Sequence, residues 1–526
     1  MQFSNDDKDV FLVKIDSMID RGALLSRYSR AASLDIRDVY RKEFEGNAAR
    51  GKDFYKRVFL EYGDESISEL VTAQMAVQNI SNILTKDIED LRVGLSYLEK
   101  SSRYVRYDKK VGGRYLYLDP AKAGIPESCM DDYTVLCDSL FDFYANNYEN
   151  ALKFFREKYP IETIVFNETG HGPQYLIDLD EEERAAAEKS YTSSVRARAL
   201  DDLRFLLPAS TLTNLGVSGN GRAFINLIQK LKTAGTPEAN RIADSMYVEL
   251  EQELPELINS AVSKHGIELI QYRKDVSSMA ISLPELEARK LPEVELIQHD
   301  DDRKALINSL SIFAFSSGDS DMVSLRSSLS SMPEKELASL VTRMAALRKN
   351  RRHKLHRAFE SVPYLFQITT NYGAFRDLQR HRFISINRQP LSDRYGFDMP
   401  PLFEESDLMD EYINLMSQAS EVYRKILSHS SKQIAQYAIP YAYRYPISAA
   451  MDLREAAFFC ELRSTPQAHP DLRRIAIGIY REIGKANPSL APLLKFVDHG
   501  EYALGRLKSE QSKEKRLRNL DSGNKV

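Results

Sequence analysis

The sequence predicts an α+β protein that is predominantly helical and built twice over. Three observations carry that expectation. Apolar residues recur at spacings of three and four along much of the chain, as on amphipathic helices. Strand-like runs are few and short. A cluster of arginine, serine and tyrosine near residue 100 returns near residue 390, in the same order relative to the helices around it.

Helical periodicity runs through Leu60 to Leu98, Arg196 to Leu206, Ala239 to Leu254, Leu337 to Leu347, Ser417 to Tyr437 and Arg454 to Arg463. Strands are expected at Arg114 to Leu118, Leu269 to Tyr272 and Tyr364 to Thr370, where β-branched, aromatic and aliphatic residues gather. Gly216 to Gly221 is glycine-rich but lacks the lysine of a phosphate-binding loop, so it reads as a turn. From about Lys508 the chain is rich in Lys, Arg, Ser and Asn, and residues 508–526 are expected to be a disordered polar tail. The remainder divides into two tandem domains, 1–285 and 286–507, each with a small antiparallel sheet and long helices.

Composition removes several classes of function. The chain has 526 residues, enough for two substantial cores, with 43% hydrophobic and 28% charged residues. Its net charge of −4 gives no reason to expect nucleic acid or an anionic membrane as a partner. No apolar run reaches the length of a membrane span, and the acidic N-terminus is no ordinary secretory signal. Three dispersed cysteines (Cys129, Cys137, Cys460) argue for a reducing, cytoplasmic setting, and no cysteine–histidine cluster suggests a metal site. Cys460 lies within a helical pattern and reads as a small buried hydrophobe rather than a nucleophile.

The densest chemistry is the stretch Arg380-His381-Arg382-Phe-Ile-Ser385-Ile-Asn387-Arg388-Gln389-Pro-Leu-Ser392-Asp-Arg394-Tyr395. Guanidinium forks bind phosphate oxygens in pairs and hydroxyls add donors, so the pattern suits a phosphorylated ligand. Its echo upstream is Ser96-Tyr-Leu-Glu99-Lys-Ser101-Ser-Arg103-Tyr104, preceded by Asp90-Leu91-Arg92 or Leu91-Arg92-Val93. Further arginines follow each copy: Arg222 in the first half, and Arg454, Arg463 and Arg473 in the second, with His469 beside the last.

These motifs resemble the signature of the flavin-dependent thymidylate synthases, the ThyX family, which reads Arg-His-Arg-x-x-Ser-x-Asn-Glu-x-Ser-x-Arg-Tyr. The downstream copy keeps the Arg-His-Arg but carries two extra residues and lacks the glutamate. The upstream copy keeps the second half at the family's spacing but has lost the Arg-His-Arg. Asp452-Leu-Arg454 and Ala468-His469-Pro-Asp471-Leu-Arg473 resemble the family's C-terminal motifs, with His469 in place of glutamine. Leu203-Arg204-Phe-Leu-Leu207-Pro208 and Ala435-Gln436-Tyr-Ala-Ile439-Pro440 each echo its Ala-Arg-x-x-Leu-Pro.

The resemblance implies a methyltransferase of dTMP biosynthesis that converts dUMP to dTMP. Methylenetetrahydrofolate would supply the carbon, and NADPH would reduce an FAD cofactor. It implies Ser101 and Arg382 as catalytic residues, and Glu99, Ser101, Arg103, Arg380, Arg454 and Arg473 as the dUMP site. Arg380, His381, Arg382, Ser385, Asn387, Arg463 and His469 would hold the flavin, with no metal. Since each copy keeps what the other lost, the expected sites are composite, within a homodimer that imitates the family's tetramer. A non-catalytic nucleotide- or flavin-binding homologue, and another flavin- or folate-dependent nucleotide-modifying enzyme, are the alternative readings.

Overall fold

The computed structural model describes residues 2–47, 50–62, 65–169, 172–279 and 289–521. It is an α+β fold in which helices surround two small antiparallel sheets. Strands β1 (Thr72–Ser81), β2 (Leu95–Glu99) and β5 (Leu212–Asn220) form the first, in the order β1-β5-β2. The second contains β6 (Val294–His299), β7 (Pro363–Asn371), β8 (Ser385–Arg388) and β9 (Arg444–Asp452), in the order β6-β7-β9-β8. A two-stranded ribbon, β3 (Asn167–Thr169) with β4 (Gly172–Gln174), lies apart.

The duplication is visible in the wiring. Helix α1 (Asn82–Glu89) follows β1, and helix α4 (Tyr372–Leu378) follows β7. Ser81 and Asn371 cap them, each side-chain oxygen accepting from a backbone N–H three residues on, at 3.0 and 2.8 Å. Helices α3 (Gly221–Leu231) and α5 (Leu453–Arg463) follow β5 and β9, capped in the same way by Asn220 and Asp452 at 2.9 and 2.8 Å. Arg222 of α3 pairs with Glu69 at 2.8 Å, and Arg454 of α5 pairs with Glu360 at 2.7 Å.

Three further helices matter below: α2 (Glu181–Leu203), α6 (Pro470–Ala486) and α7 (Leu507–Asp521). One hydrophobic core runs from Ile83 to Leu507 and takes residues from both halves, while a second belongs to the first half alone. The two Leu/Ile-Pro helix ends meet in the larger core. Pro208 and Pro440 form an antiparallel bridge, flanked by Ala209 N–H to Ile439 O at 2.8 Å and Tyr441 N–H to Leu207 O at 2.9 Å.

Several local expectations change. The periodic run Leu60–Leu98 is broken by β1, whose outer face carries Thr72, Gln74, Ala76 and Gln78 against a buried inner face. Leu269–Tyr272 is helical, inside Lys264–Ser278, a helix that Ser263 caps by accepting the Gly266 N–H at 3.2 Å. Gly216–Gly221 is no turn but the end of central strand β5 and the start of α3. Glycine is needed there for close packing: a Cβ on Gly219 would lie 2.3 Å from Gly94 O. The chain from 508 to 521 is the helix α7, not a disordered tail. Its polar sequence is held against the first half by Lys189–Glu514 at 2.7 Å and by Gln511 Nε2 donating to Phe166 O at 3.0 Å. The junction expected at 285/286, and residues 522–526, lie outside the described residues. Among the described residues no helix is long and apolar enough to cross a membrane.

Candidate active site between the two halves

Glu99 ends β2 and turns its carboxylate into the seam between the halves. There it meets Arg376 Nη2 at 2.6 Å, Lys86 Nζ at 2.8 Å and Arg380 Nη2 at 3.5 Å. Burial opposes ionisation, but Arg376, Lys86 and Arg380 outweigh it and hold the carboxyl at about 2. Arg376 also donates to Ser102 Oγ at 2.9 Å. A second-half arginine therefore pins the first-half loop from both ends of residues 99–102.

Arg103, at the far end of this loop, donates Nε and Nη2 to the two carboxylate oxygens of Asp201 on α2, each at 2.7 Å. Burial works against ionised Asp201, yet Arg103 keeps its carboxyl below the usual carboxylate range. Ser101 Oγ accepts the Arg103 N–H at 3.3 Å and so shapes the turn.

This pair lines a cavity of about 690 Å³ whose walls come from both halves. Arg103, Arg198 and Asp201 belong to the first half; Arg473 of α6 and the segment His499 to Arg506 belong to the second. Arg473 Nη2 donates to Gly500 O at 2.6 Å, but its buried Nη1 has no hydrogen-bond partner. Buried Nη1 of Arg506 is equally unpartnered. Unmet buried guanidinium N–H groups are costly unless something anionic satisfies them. His469 caps α6, its Nδ1 accepting Asp471 N–H at 3.3 Å, while the buried Nε2 has no partner. Burial, with Arg204 adding to it, pushes this imidazole down to about 3, so it is neutral at pH 7.

The Arg-His-Arg segment follows α4. Its arginines face a cleft of about 190 Å³, shared with Glu89, Arg92, Tyr97 and Glu99 of the first half. Arg382 Nη2 donates to Ser96 Oγ at 3.2 Å. His381 is buried between Glu455 Oε1 at 3.1 Å and Arg463 Nε at 2.8 Å. Arg463 can only donate, so Nε2 is the bare nitrogen and Nδ1–H donates to Glu455. Burial lowers the pKa, against the Glu455 hydrogen bond, in keeping with that neutral tautomer. Arg92 Nη1 binds the carbonyls of His381, at 2.8 Å, and of Ile384.

The structure thus brings Glu99, Ser101 and Arg103 to the same seam as Arg380, His381, Arg382 and Arg463, and sets Arg103 and Arg473 around one cavity with His469 beside them. Ser385 and Asn387 lie exposed on edge strand β8, and Asn387 faces a different cavity of about 550 Å³ with Asp87, Asp90, Lys230 and Arg388. Arg454 is committed to Glu360 and to Leu355 O at 2.9 Å. Sequence reasoning passed over Arg376, Asp201 and Arg506. Arg376 lies four residues before Arg380, one helical turn away, and that spacing was a usable signal. Nothing local marks Asp201 or Arg506, whose partners are distant in sequence. All three cysteines are free and buried, and burial pushes the Cys460 thiol far up, leaving it without nucleophilic character. Among the described residues no cluster of His, Cys, Asp or Glu could hold a metal ion.

A family model described as thymidylate synthase complementing protein matches this chain twice, over residues 22–256 and 295–489. The chain is 51% identical over 497 residues to a UPF0159 protein of Thermoplasma acidophilum, spanning 94% of this chain and 99% of that one. It is 35% identical over 530 residues to a UPF0159 protein of Chlamydia pneumoniae, covering 96% of this chain and 95% of that one. The crystal structure of the UMP/dUMP methylase PolB from Streptomyces cacaoi with 5-Br dUMP aligns to 40% of this chain and 98% of its own. The identity is 18% and the TM-score 0.32, a likeness too slight to argue from.

Proposed function

The chain belongs to the thymidylate synthase complementing protein family, in tandem duplicate, and from that premise we propose that it is a flavin-dependent thymidylate synthase. Its substrate is dUMP, its carbon donor methylenetetrahydrofolate, and its reductant NADPH acting through FAD. One observation carries the reading: Arg103 of the first copy and Arg473 of the second line one cavity, where a buried Nη1 of Arg473 has no partner. A cleft of this size with convergent cations is a fitting place for a nucleotide.

In this reading Arg473 takes the nucleotide phosphate, and Arg103, oriented by Asp201, supports it. Glu99 is ionised and held by Arg376 and Lys86, so its role is to fix the loop that carries Ser101 and Arg103. Ser101 sets the turn that presents Arg103.

The residues present also fit a dinucleotide cofactor. Arg380 is about half exposed at its side chain and Arg382 is open, which leaves both guanidinium groups accessible to phosphate oxygens. His381 is buried and Arg463 half-buried, and they position the segment through their mutual hydrogen bond. When bound, the flavin would supply the hydride chemistry; the chain contributes binding, orientation and charge. The absence of an activated cysteine agrees with this division of labour.

Complementation of a thymidine-requiring bacterium, followed by dUMP-dependent oxidation of reduced flavin by the purified protein, tests the proposal. Growth with turnover is expected. A colourless protein that binds dUMP but neither complements nor oxidises flavin would leave a non-catalytic nucleotide-binding protein instead.

A further inference from the structure

The family matches end at residue 489, yet the large cavity is closed by residues 499–506. That wall is no loose end. Tyr502 donates to Asp498 at 2.8 Å, and the Asp498 backbone N–H donates to Ser464 Oγ at 2.9 Å. Immediately after it, α7 docks on the first half through Lys189–Glu514 and the Gln511–Phe166 hydrogen bond. The wall is therefore tied to both halves.

Arg506 is the chemically active part of it. The residue is 7% exposed, and its guanidinium stacks over Tyr104 at 4.5 Å, just beyond the Arg103 loop. Arg473, also lining the cavity and 8% exposed, stacks over Tyr502 at 4.7 Å. Each arginine keeps a buried Nη1 without a partner. The nearby carboxylates do not satisfy them: Asp201 lies 3.9 Å from Arg506 Nη2 and is already bidentate to Arg103, and Asp498 lies 4.0 Å from Arg473 Nη2. Two stacked, buried guanidinium groups that line one cavity, each with a donor left over, offer the donors of an anion site.

We propose that the C-terminal extension completes a phosphate-binding site in this cavity, with Arg506 as an anion ligand alongside Arg473. The ligand class is a phosphate ester. The assignment shares its cavity with the proposed nucleotide site but rests on the geometry of Arg506 and Arg473. The shared chemistry is satisfied by the phosphate of a mononucleotide or by the diphosphate of a dinucleotide cofactor.

The test is calorimetric titration of the full-length protein with inorganic pyrophosphate, then competition by dUMP and, separately, by FAD. Pyrophosphate should bind. Arg506→Ala should weaken it by about tenfold or more, the scale of a lost charge-assisted contact. Arg506→Lys should keep part of the affinity. Arg481→Ala, an exposed arginine on the same cavity wall, should change it by less than about twofold. Displacement by dUMP names a mononucleotide site and displacement by FAD a cofactor site. Circular dichroism melts of each variant separate loss of binding from loss of fold, and Arg506→Lys carries the test if Arg506→Ala does not fold. No pyrophosphate binding by the wild type, or unchanged binding by a folded Arg506 variant, overturns the inference. Thymidylate synthesis assayed in parallel distinguishes the two failures: turnover with silent Arg506 variants sinks this site alone, whereas pyrophosphate binding without turnover sinks the proposed activity alone.

Discussion

Asp90 and Arg388 meet at 2.6 Å, and in doing so reverse the charges of the Glu99–Arg380 pair across the seam. The positions are equivalents. Asp90 and Arg380 each lie nine residues beyond the cap of the helix that follows β1 or β7, Ser81 and Asn371. Glu99 and Arg388 each end the short edge strand of their sheet. Duplication thus left one seam with an acceptor from the first copy and cations from the second, and a twin with the signs exchanged. In the twin Arg388 is consumed by Asp90 and by Asp87 at 2.5 Å.

Arg388→Ala should therefore destabilise the protein by about 1–3 kcal/mol, since it takes the nearest cation from two half-buried carboxylates, Asp87 and Asp90. Adding Asp90→Arg and replacing Arg388 by Glu restores a pair of the Glu99–Arg380 kind, and should recover at least half of the loss. Urea unfolding of the single and double variants measures this. Additive losses in the double variant would mean that the pair is not coupled.

Arg103→Ala should weaken dUMP binding by about 2–4 kcal/mol, the scale for a charge-assisted contact in a desolvated site. The structure adds a second effect, because the substitution leaves Asp201 buried and unpaired. Arg103→Ala should melt earlier than wild type, and Arg103→Ala with Asp201→Asn should regain the melting temperature but not the affinity. Flavin content should be nearly constant throughout. Unaltered dUMP affinity would remove Arg103 from the site.

Ser101→Ala and Arg382→Ala should each abolish thymidylate synthesis. The seam and the cavity are formed by one chain, so mixing the two inactive proteins should restore nothing, even within the expected homodimer. Recovery of about half of the sites would require that they close between chains. Ser392→Ala, in the displaced copy of the loop, should be nearly silent.

His469 gives a pH signature. Its imidazole is held at about 3 in the fold, chiefly by burial, against an ordinary value near 6.5 in the unfolded chain. The unfolded state therefore takes the proton first. The stabilisation is complete above about pH 6.5 and is lost as pH falls through the interval down to about 3, with a slope of up to about 1.4 kcal/mol per pH unit. In His469→Gln, which installs the family's residue, unfolding free energies between pH 6.5 and 5 should flatten. Parallel profiles for variant and wild type would contradict the assignment.

Much of this was legible in the sequence. The duplication, the mainly helical α+β class and strand β7 follow from periodicity and from two copies of one motif. Residue types and spacing also marked the Arg103 loop, which the structure sets at the seam between the halves. What was not legible depends on partners far apart in the chain. Asp201 claims Arg103 from 98 positions away. Gly216–Gly221 looks like a turn until Gly94 is known to press against it. The polar helix α7 has a composition that suits disorder, and only the groove on the first half that receives Glu514 and Gln511 orders it.

The bridge between Pro208 and Pro440 has a kinetic meaning. Where separate subunits must meet to build a shared pocket, the number of working pockets falls on dilution. Here the two contributors are covalently joined and share one core, so the encounter is intramolecular and its effective concentration is set by the chain itself. The pocket should therefore persist at scarce, nanomolar levels of the protein, and its assembly should follow first-order kinetics.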